Sequence, residues 1–193
     1  KQEIIRRYYH ALNRLAKEEG TSDEVYKINL LMNKAKIDST MRGVIAPCLE
    51  RAKVSGGPAA AMELNDGTIV TGKTSSLLGA SAALLLNAIK VLGDIPHNIH
   101  LIAPSAIEPI QTLKTQYMGS KNPRLHTDEV LIALSVSAAM DKNAQLALEN
   151  LSKLKGCQVH TSVMLSDVDI KVFSKLGINL TCEPVYEHKK LYH

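Results

Sequence analysis

Asn65-Asp66-Gly67-Thr68-Ile69-Val70-Thr71-Gly72-Lys73-Thr74 decides how this chain is read, because from Gly67 onward it fits the phosphate-loop pattern G-x-x-x-x-G-K-S/T letter for letter. A phosphate loop curls its backbone N–H groups round an anion and needs small, permissive residues to do so. Thr68, Ile69, Val70 and Thr71 are β-branched and stiff at χ1, which suits an extended strand. The apolar run Ala59 to Leu64 stands just before Asn65. Two strand-like runs joined by Asp-Gly are the strongest short-range hairpin signal. Gly67 is therefore read as a turn residue and Lys73 as the end of the return strand.

Outward from this hairpin (59–64 and 68–72), residues 75–92 read as a helix, apolar almost all round and hence covered. Ile99-His-Leu-Ile-Ala103 reads as a short buried strand, and Pro104 as the first turn of a helix running to about 117. A polar loop at 119–124 precedes two helices, 127–140 and 142–155. A strand at 158–165, a helix at 167–176 and a last strand at 178–182 complete the pattern. Alternation of this kind implies an α/β fold with three α/β/α layers and a mixed sheet opened by the N-terminal hairpin. Residues 1–57 read as an N-terminal helical appendage, and 58–193 as the α/β domain. Within the appendage, helix 2–19 carries the apolar stripe Ile4, Ile5, Tyr8, Tyr9, Leu12 and Leu15. Thr21-Ser-Asp-Glu24 opens a second helix as a capping box. Residues 42–46 form a short strand or a loop, and Pro47 begins a helix to about Val54.

The chain has 193 residues, no Trp and a net charge of +4, so Leu, Ile, Val and Ala must build the core. Basic residues are spread along the chain and few aromatics can stack bases, so there is no strong nucleic-acid signal. Cys48, Cys157 and Cys182 lack paired short spacing and are expected as reduced thiols, which fits a cytoplasmic protein. Leu77 to Leu92 is too short for a bilayer and contains Asn87 and Lys90, so no membrane segment is expected. Lys1 already lies inside a helical pattern, and the chain is expected to be a piece of a longer protein.

The hairpin, the apolar helix and a strand ending at Pro104 resemble the cytidine deaminase-like fold. That resemblance implies a metal site with an H-x-E motif and a P-C-x-x-C motif. Gly79-Ala-Ser-Ala-Ala83 has neither ligand nor acid at the first position, and Pro104-Ser105-Ala106-Ile107-Glu108 has Ser and Glu at the cysteine positions. A neutral serine hydroxyl does not replace a thiolate on zinc, so zinc is not expected and any other cofactor stays unknown. A second resemblance spans the chain. Lys1-Gln-Glu-Ile-Ile-Arg-Arg-Tyr8, Thr71-Gly-Lys-Thr-Ser75, Gly119-Ser-Lys-Asn-Pro123, Glu129-Val-Leu-Ile-Ala-Leu-Ser135 and Val185-Tyr186 look like the C-terminal part of a bacterial family, domain of unknown function 1846. The resemblance implies a longer, functionally uncharacterised protein whose N-terminal portion has its own Gly-rich, Lys-bearing loop. It supplies no catalytic residues.

Lys73, Thr74 and Ser75 stand where a strand meets a helix N-terminus, a place that holds phosphate or carboxylate. Equally, Thr74 or Ser75 is a plain N-cap beside a solvated Lys. Ser120, Lys121, Asn122 and Arg124, with His126 just ahead of the helix at Thr127, form a second anion candidate or an ordinary solvated loop. His160, on a strand between Val159 and Thr161, is a packed residue or a catalytic one. No G-x-S-x-G elbow supports Ser-His-Asp chemistry. Two functions follow. In one, this region helps form a nucleotide- or phosphate-ligand-dependent enzyme whose phosphate loop lies upstream. In the other it is a non-catalytic scaffold for oligomerisation or interdomain packing, with helix 2–19 as docking face. The partners expected are the upstream domain of the same protein, a small anionic or nucleotide ligand, and a second copy of the chain.

Overall fold

In the computed structural model, which describes residues 1–187, Asp66-Gly67 reverses the chain. β1 (Ala59–Glu63) and β2 (Ile69–Lys73) pair antiparallel, Ala59 opposite Lys73 and Glu63 opposite Ile69. The Gly67 N–H donates to the Leu64 carbonyl and the Leu64 N–H to the Thr68 carbonyl, both at 2.9 Å. Gly67 takes a φ of 88°, the left-handed conformation that a three-residue hairpin loop requires at its last position. Asp66 Oδ1 accepts the Thr68 N–H and fixes the turn. The phosphate-loop match is a hairpin.

Among the described residues the sheet has four strands in the order β2-β1-β3-β4, with β3 (Gln158–Thr161) antiparallel to β1 and parallel to β4 (Asn179–Cys182). It is a mixed sheet. Alternate residues of β1 face opposite layers, as the period of two demands. Ala60 and Met62 enter the main core with α4 (Ala80–Leu92), α6 (Thr127–Ala138), α7 (Lys142–Glu149) and α8 (Asp167–Lys175). Ala61 instead meets Val44 and Cys48 beside α3 (Ile45–Ser55). α1 (Gln2–Ala16) lies against β4 and pairs with α2 (Ser22–Ala35), whose N-cap Thr21 accepts the Glu24 N–H. The helices of residues 1–57 thus clothe one face of the sheet and α4 with its neighbours clothe the other. The stripe of α1 is used inside the chain, where Ile5 and Tyr9 cluster with Met32, Ile37 and Ile45.

Gly72, the second glycine of the pattern, has a packing role. A Cβ there would sit 2.4 Å from the Leu84 amide nitrogen and 2.7 Å from the Ala80 carbonyl oxygen. Its cross-strand partner is Ala60. Two small residues side by side let the first turns of α4 lie directly on the hairpin, which sets where that helix begins.

Three expectations are corrected. α4 starts at Ala80, not at 75, because the Ser75 hydroxyl accepts the Leu77 and Leu78 N–H groups in a local turn. The Ser75 N–H bonds the Leu78 carbonyl, and Leu78 bridges to Leu125 in parallel, so residues 75–78 form a turn ahead of the helix. Ile99 to Ala103 forms no strand. Leu101 and Ile102 are buried as bends that fill the core, an outcome a short apolar run does not distinguish from a strand. Residues 42–44 take the loop alternative, and α3 begins at Ile45, two residues before the expected start at Pro47. α5 (Pro104–Thr112) starts at the expected proline and continues into a wider π turn, Leu113–Tyr117.

Candidate functional site

A cavity of about 160 Å³ opens on the α4 side of the sheet, where β3 ends and α4, α6 and α8 begin. The partial positive charge of a helix N-terminus comes from its free N–H groups, and here three such ends converge. Two carry side-chain caps. Ser166 Oγ accepts the Asp169 N–H at the start of α8. Asp169 Oδ1 accepts the Thr127 N–H at 2.9 Å and the Thr127 hydroxyl at 2.6 Å at the start of α6. The third is open. Gly79 precedes α4 without a capping side chain, and the first helical bond runs from Ala83 N–H to Gly79 O. Ala80, Ser81 and Ala82 have no acceptor for their N–H groups among the described residues.

Ser81 lines this cavity, is 4% exposed, and its buried Oγ has no hydrogen-bond partner among the described residues. A buried hydroxyl left unpaired costs free energy, so it calls for an explanation. Arg124 and His126 line the same cavity. The Asp169 hydrogen bond to His126 Nδ1, at 3.2 Å, outweighs burial and holds the imidazole above its ordinary value. Burial pushes the Asp169 carboxyl up, yet hydrogen bonds from His126 and Thr127 outweigh it and leave Asp169 below the usual carboxylate range. The pair favours an imidazolium at the cavity wall.

The loop that carries Arg124 is held by a buried lysine. Lys114 Nζ donates to the Arg124 carbonyl at 2.6 Å and to Glu129 Oε2 at 2.8 Å, while the Lys114 carbonyl accepts the Ser120 N–H. Glu129 Oε2 also accepts the His126 N–H, tying loop and helix start together.

Thr74, Asn122 and Arg124 come together in the cavity wall. Arg124 Nε donates to the Ser75 carbonyl at 2.8 Å, so the two candidate segments meet, with Ser75 contributing backbone and not a cap. Asn122 Oδ1 accepts the Arg124 N–H, and Arg124 Nη1 lies 3.4 Å from Glu187 at the rim. Lys73 and Lys121 are exposed and outside this wall, and the Ser120 hydroxyl bonds only within its loop. Reading the sequence did not assign Ser81, Thr161 or Asp169 to a site. Two of them carried a signal: Gly79-x-Ser81 at a helix start, and the S-x-x-D spacing Ser166–Asp169.

His160 faces the other layer. Its Nδ1 lies 2.8 Å from the Thr181 hydroxyl, and Nε2 lies 2.9 Å from the Glu183 carboxylate, which makes Nε2 the donor. The Tyr9 ring meets the imidazole edge to face at 5.0 Å. Burial, with Glu183 nearby, pushes the Tyr9 phenol up to about 12. Beside this group Arg42 is 1% exposed and burial draws its guanidinium down to about 10. All five of its N–H donors are taken, by Thr181 Oγ1, Gln158 Oε1, Gln2 Oε1 and the carbonyls of Val159 and Asn179.

Ser105 and Glu108, at the positions of the second deaminase-like motif, line a shallow groove on α5, apart from the cavity. Among the described residues no group of three His, Cys, Asp or Glu side chains could hold a metal ion. The three cysteines are free and buried, and burial raises the thiol of each, that of Cys48 to about 12. No described helix is long and apolar enough to cross a membrane.

The family model described as "Domain of unknown function DUF1846, C-terminal" matches residues 40–192. A UPF0371 protein of Corynebacterium aurimucosum is 53% identical over 188 residues, covering 97% of this chain and 38% of its own length. One of Corynebacterium efficiens is 53% identical over 192 residues, and one of Streptococcus pyogenes 47% over 192, each covering 100% of this chain and 39% of the relative. The chain spans about two fifths of the length of these relatives.

Proposed function

The chain belongs to the DUF1846 family, and we propose that this region supplies an anion-binding pocket to a nucleotide- or phosphate-ligand-dependent enzyme formed by the longer protein. The observation that carries this reading is the cavity where the α4, α6 and α8 N-termini meet Thr74, Arg124 and His126. Helix N-termini with an arginine beside them are a recurrent way to hold phosphate. In this reading Asp169 orients His126, and the Lys114–Glu129 pair positions the Arg124 loop. Lys73 and Lys121 are left as solvated charges, and His160 as a packed residue. The scaffold would be deaminase-like without its metal motifs, the start of α4 lying where such an enzyme has its first ligand. Three buried cysteines with no disulfide among the described residues support a reducing, cytoplasmic setting.

The test is thermal unfolding of this chain and of a full-length relative with inorganic phosphate and with ATP. A rise in Tm that grows with ligand concentration and is lost in Arg124→Ala is expected, because a ligand of the native state stabilises it by mass action. No rise with either protein refutes the pocket.

A non-catalytic scaffold is favoured by a different observation. Ile132, Val136 and Met140 form a row along α6 and just past it, with 64%, 69% and 94% exposure. That row would dock the remainder of the longer protein or a second copy. If Ile132→Lys and Val136→Lys leave subunit and domain association unchanged, this reading fails.

A further inference from the structure

The open end of α4 narrows the ligand class, and this step rests on the pocket reading above. Ala80, Ser81 and Ala82, whose N–H groups have no described acceptor, line the cavity with Thr74, Arg124 and His126, and the carboxylates Asp169 and Glu187 lie in the same wall, engaged by His126 and Thr127 and by Arg124. A carboxylate offers two oxygens, and an internal phosphodiester two charged oxygens with a single negative charge. A terminal phosphate offers three strong acceptor oxygens and close to two charges. Its capacity matches the donors; the others leave donors unpaired in a buried place, which is costly.

Size points the same way. Pockets that enclose a whole drug-sized ligand span roughly 300–1,000 Å³, and the 160 Å³ here suits one anionic group. The remainder of the ligand must pass the rim, where Arg124 and Glu187 face each other. Ser81 supplies the independent sign of a ligand, a hydroxyl with no described partner, more than nine-tenths buried in the wall.

We infer that the first turn of α4 seats the terminal phosphate of a phosphomonoester, held by the N–H groups of Ala80–Ala82 and the Ser81 hydroxyl, with Arg124 as the counter-charge. The group esterified to it lies outside the cavity, so nucleotide and sugar phosphates share this chemistry.

Calorimetric titration of the chain with inorganic phosphate, glucose 6-phosphate, AMP and cyclic AMP tests the assignment. Phosphate and the two monoesters should bind, and cyclic AMP, a diester, should bind at least about tenfold more weakly, since it lacks the third charged oxygen and the hydrogen bond made to it. Which monoester binds tighter tells sugar phosphate from nucleotide. Ser81→Ala should weaken phosphate about tenfold, as loss of one charge-assisted hydrogen bond does. Ser81→Leu, which fills the cavity, should abolish binding; if it does not fold, the alanine variant decides. If phosphate binds, is lost in Arg124→Gln, and is unchanged in both Ser81 variants, the seat is wrong and the pocket reading survives. Equal binding of AMP and cyclic AMP overturns the monoester. Failure of all four probes overturns seat and pocket together.

Discussion

His160 and Thr161 are neighbours on β3 that face opposite layers, and the polar groups they meet are managed in opposite ways. On the His160 side, every donor of Arg42 has an acceptor and both imidazole nitrogens are engaged. On the Thr161 side, α4 opens with free N–H groups and Ser81 has no described partner. A buried polar network with every group paired is a structural device, since any change leaves something unsatisfied. Donors left over at the wall of a cavity are what a ligand needs. Burial alone would have drawn attention to His160, which is 0% exposed. The count of satisfied bonds redirects it to Ser81.

Breaking the closed side should have the largest effect. Arg42→Ala strips hydrogen bonds from the carbonyls of Val159 and Asn179 and from Thr181. We expect a loss of about 3 kcal/mol in urea unfolding, since five hydrogen bonds from one buried guanidinium are lost together. A loss near zero would show the network to be dispensable. Gly72→Ala tests the joint between the two sides. With Leu84 N 2.4 Å from the new Cβ, α4 must shift, at a cost of about 2–3 kcal/mol. It should also weaken phosphate binding, because the helix start moves.

His160→Phe sharpens the contrast. It should cost about 1–2 kcal/mol, leaving Thr181 and Glu183 short of a partner, with phosphate affinity unchanged in the same titration. Altered affinity would couple the two faces.

The smallest effect is the pH dependence of the His126–Asp169 pair. Asp169 has a lowered folded value, so its contribution is present above its unfolded value of about 3.9 and fades as pH falls through the folded one. His126 has a raised folded value, so its contribution is complete below about 6.5 and fades as pH rises through the folded one. The pair should therefore stabilise most between roughly pH 4 and 6.5. With a third of His126 exposed, solvent screening keeps the gain near or below about 1 kcal/mol. The Tm difference between the wild type and Asp169→Asn, followed from pH 3 to 9, should peak in that interval. A difference that is flat with pH would mean the pair carries no charge linkage.

Legibility followed locality. The Asp66-Gly67 turn, the Thr21 cap and the start of α5 at Pro104 are set by residues within one or two turns of each other, and all were readable. The start of α4 was misread because Thr74 and Ser75 look like caps. The competing turn at Ser75 is decided by Leu78 bridging Leu125 from another segment. The run 99–103 failed for want of a partner strand. Of the candidate residues, Thr74, Asn122 and Arg124 reached one cavity; the exposed lysines Lys73 and Lys121 did not.

By itself, then, the sequence determined the hairpin, the alternation of strands and helices, and the mixed α/β class, because stiff β-branched residues, turn glycines and capping groups act through their immediate neighbours. The tertiary structure alone decided that Ser81, Arg124, His126 and Asp169 share a wall and that His160 is turned away from it. Ser81, the Arg124–His126 stretch and Asp169 lie tens of residues apart, and only the packing of α4 on Gly72 and of the two helix layers on the sheet brings their side chains to one cavity.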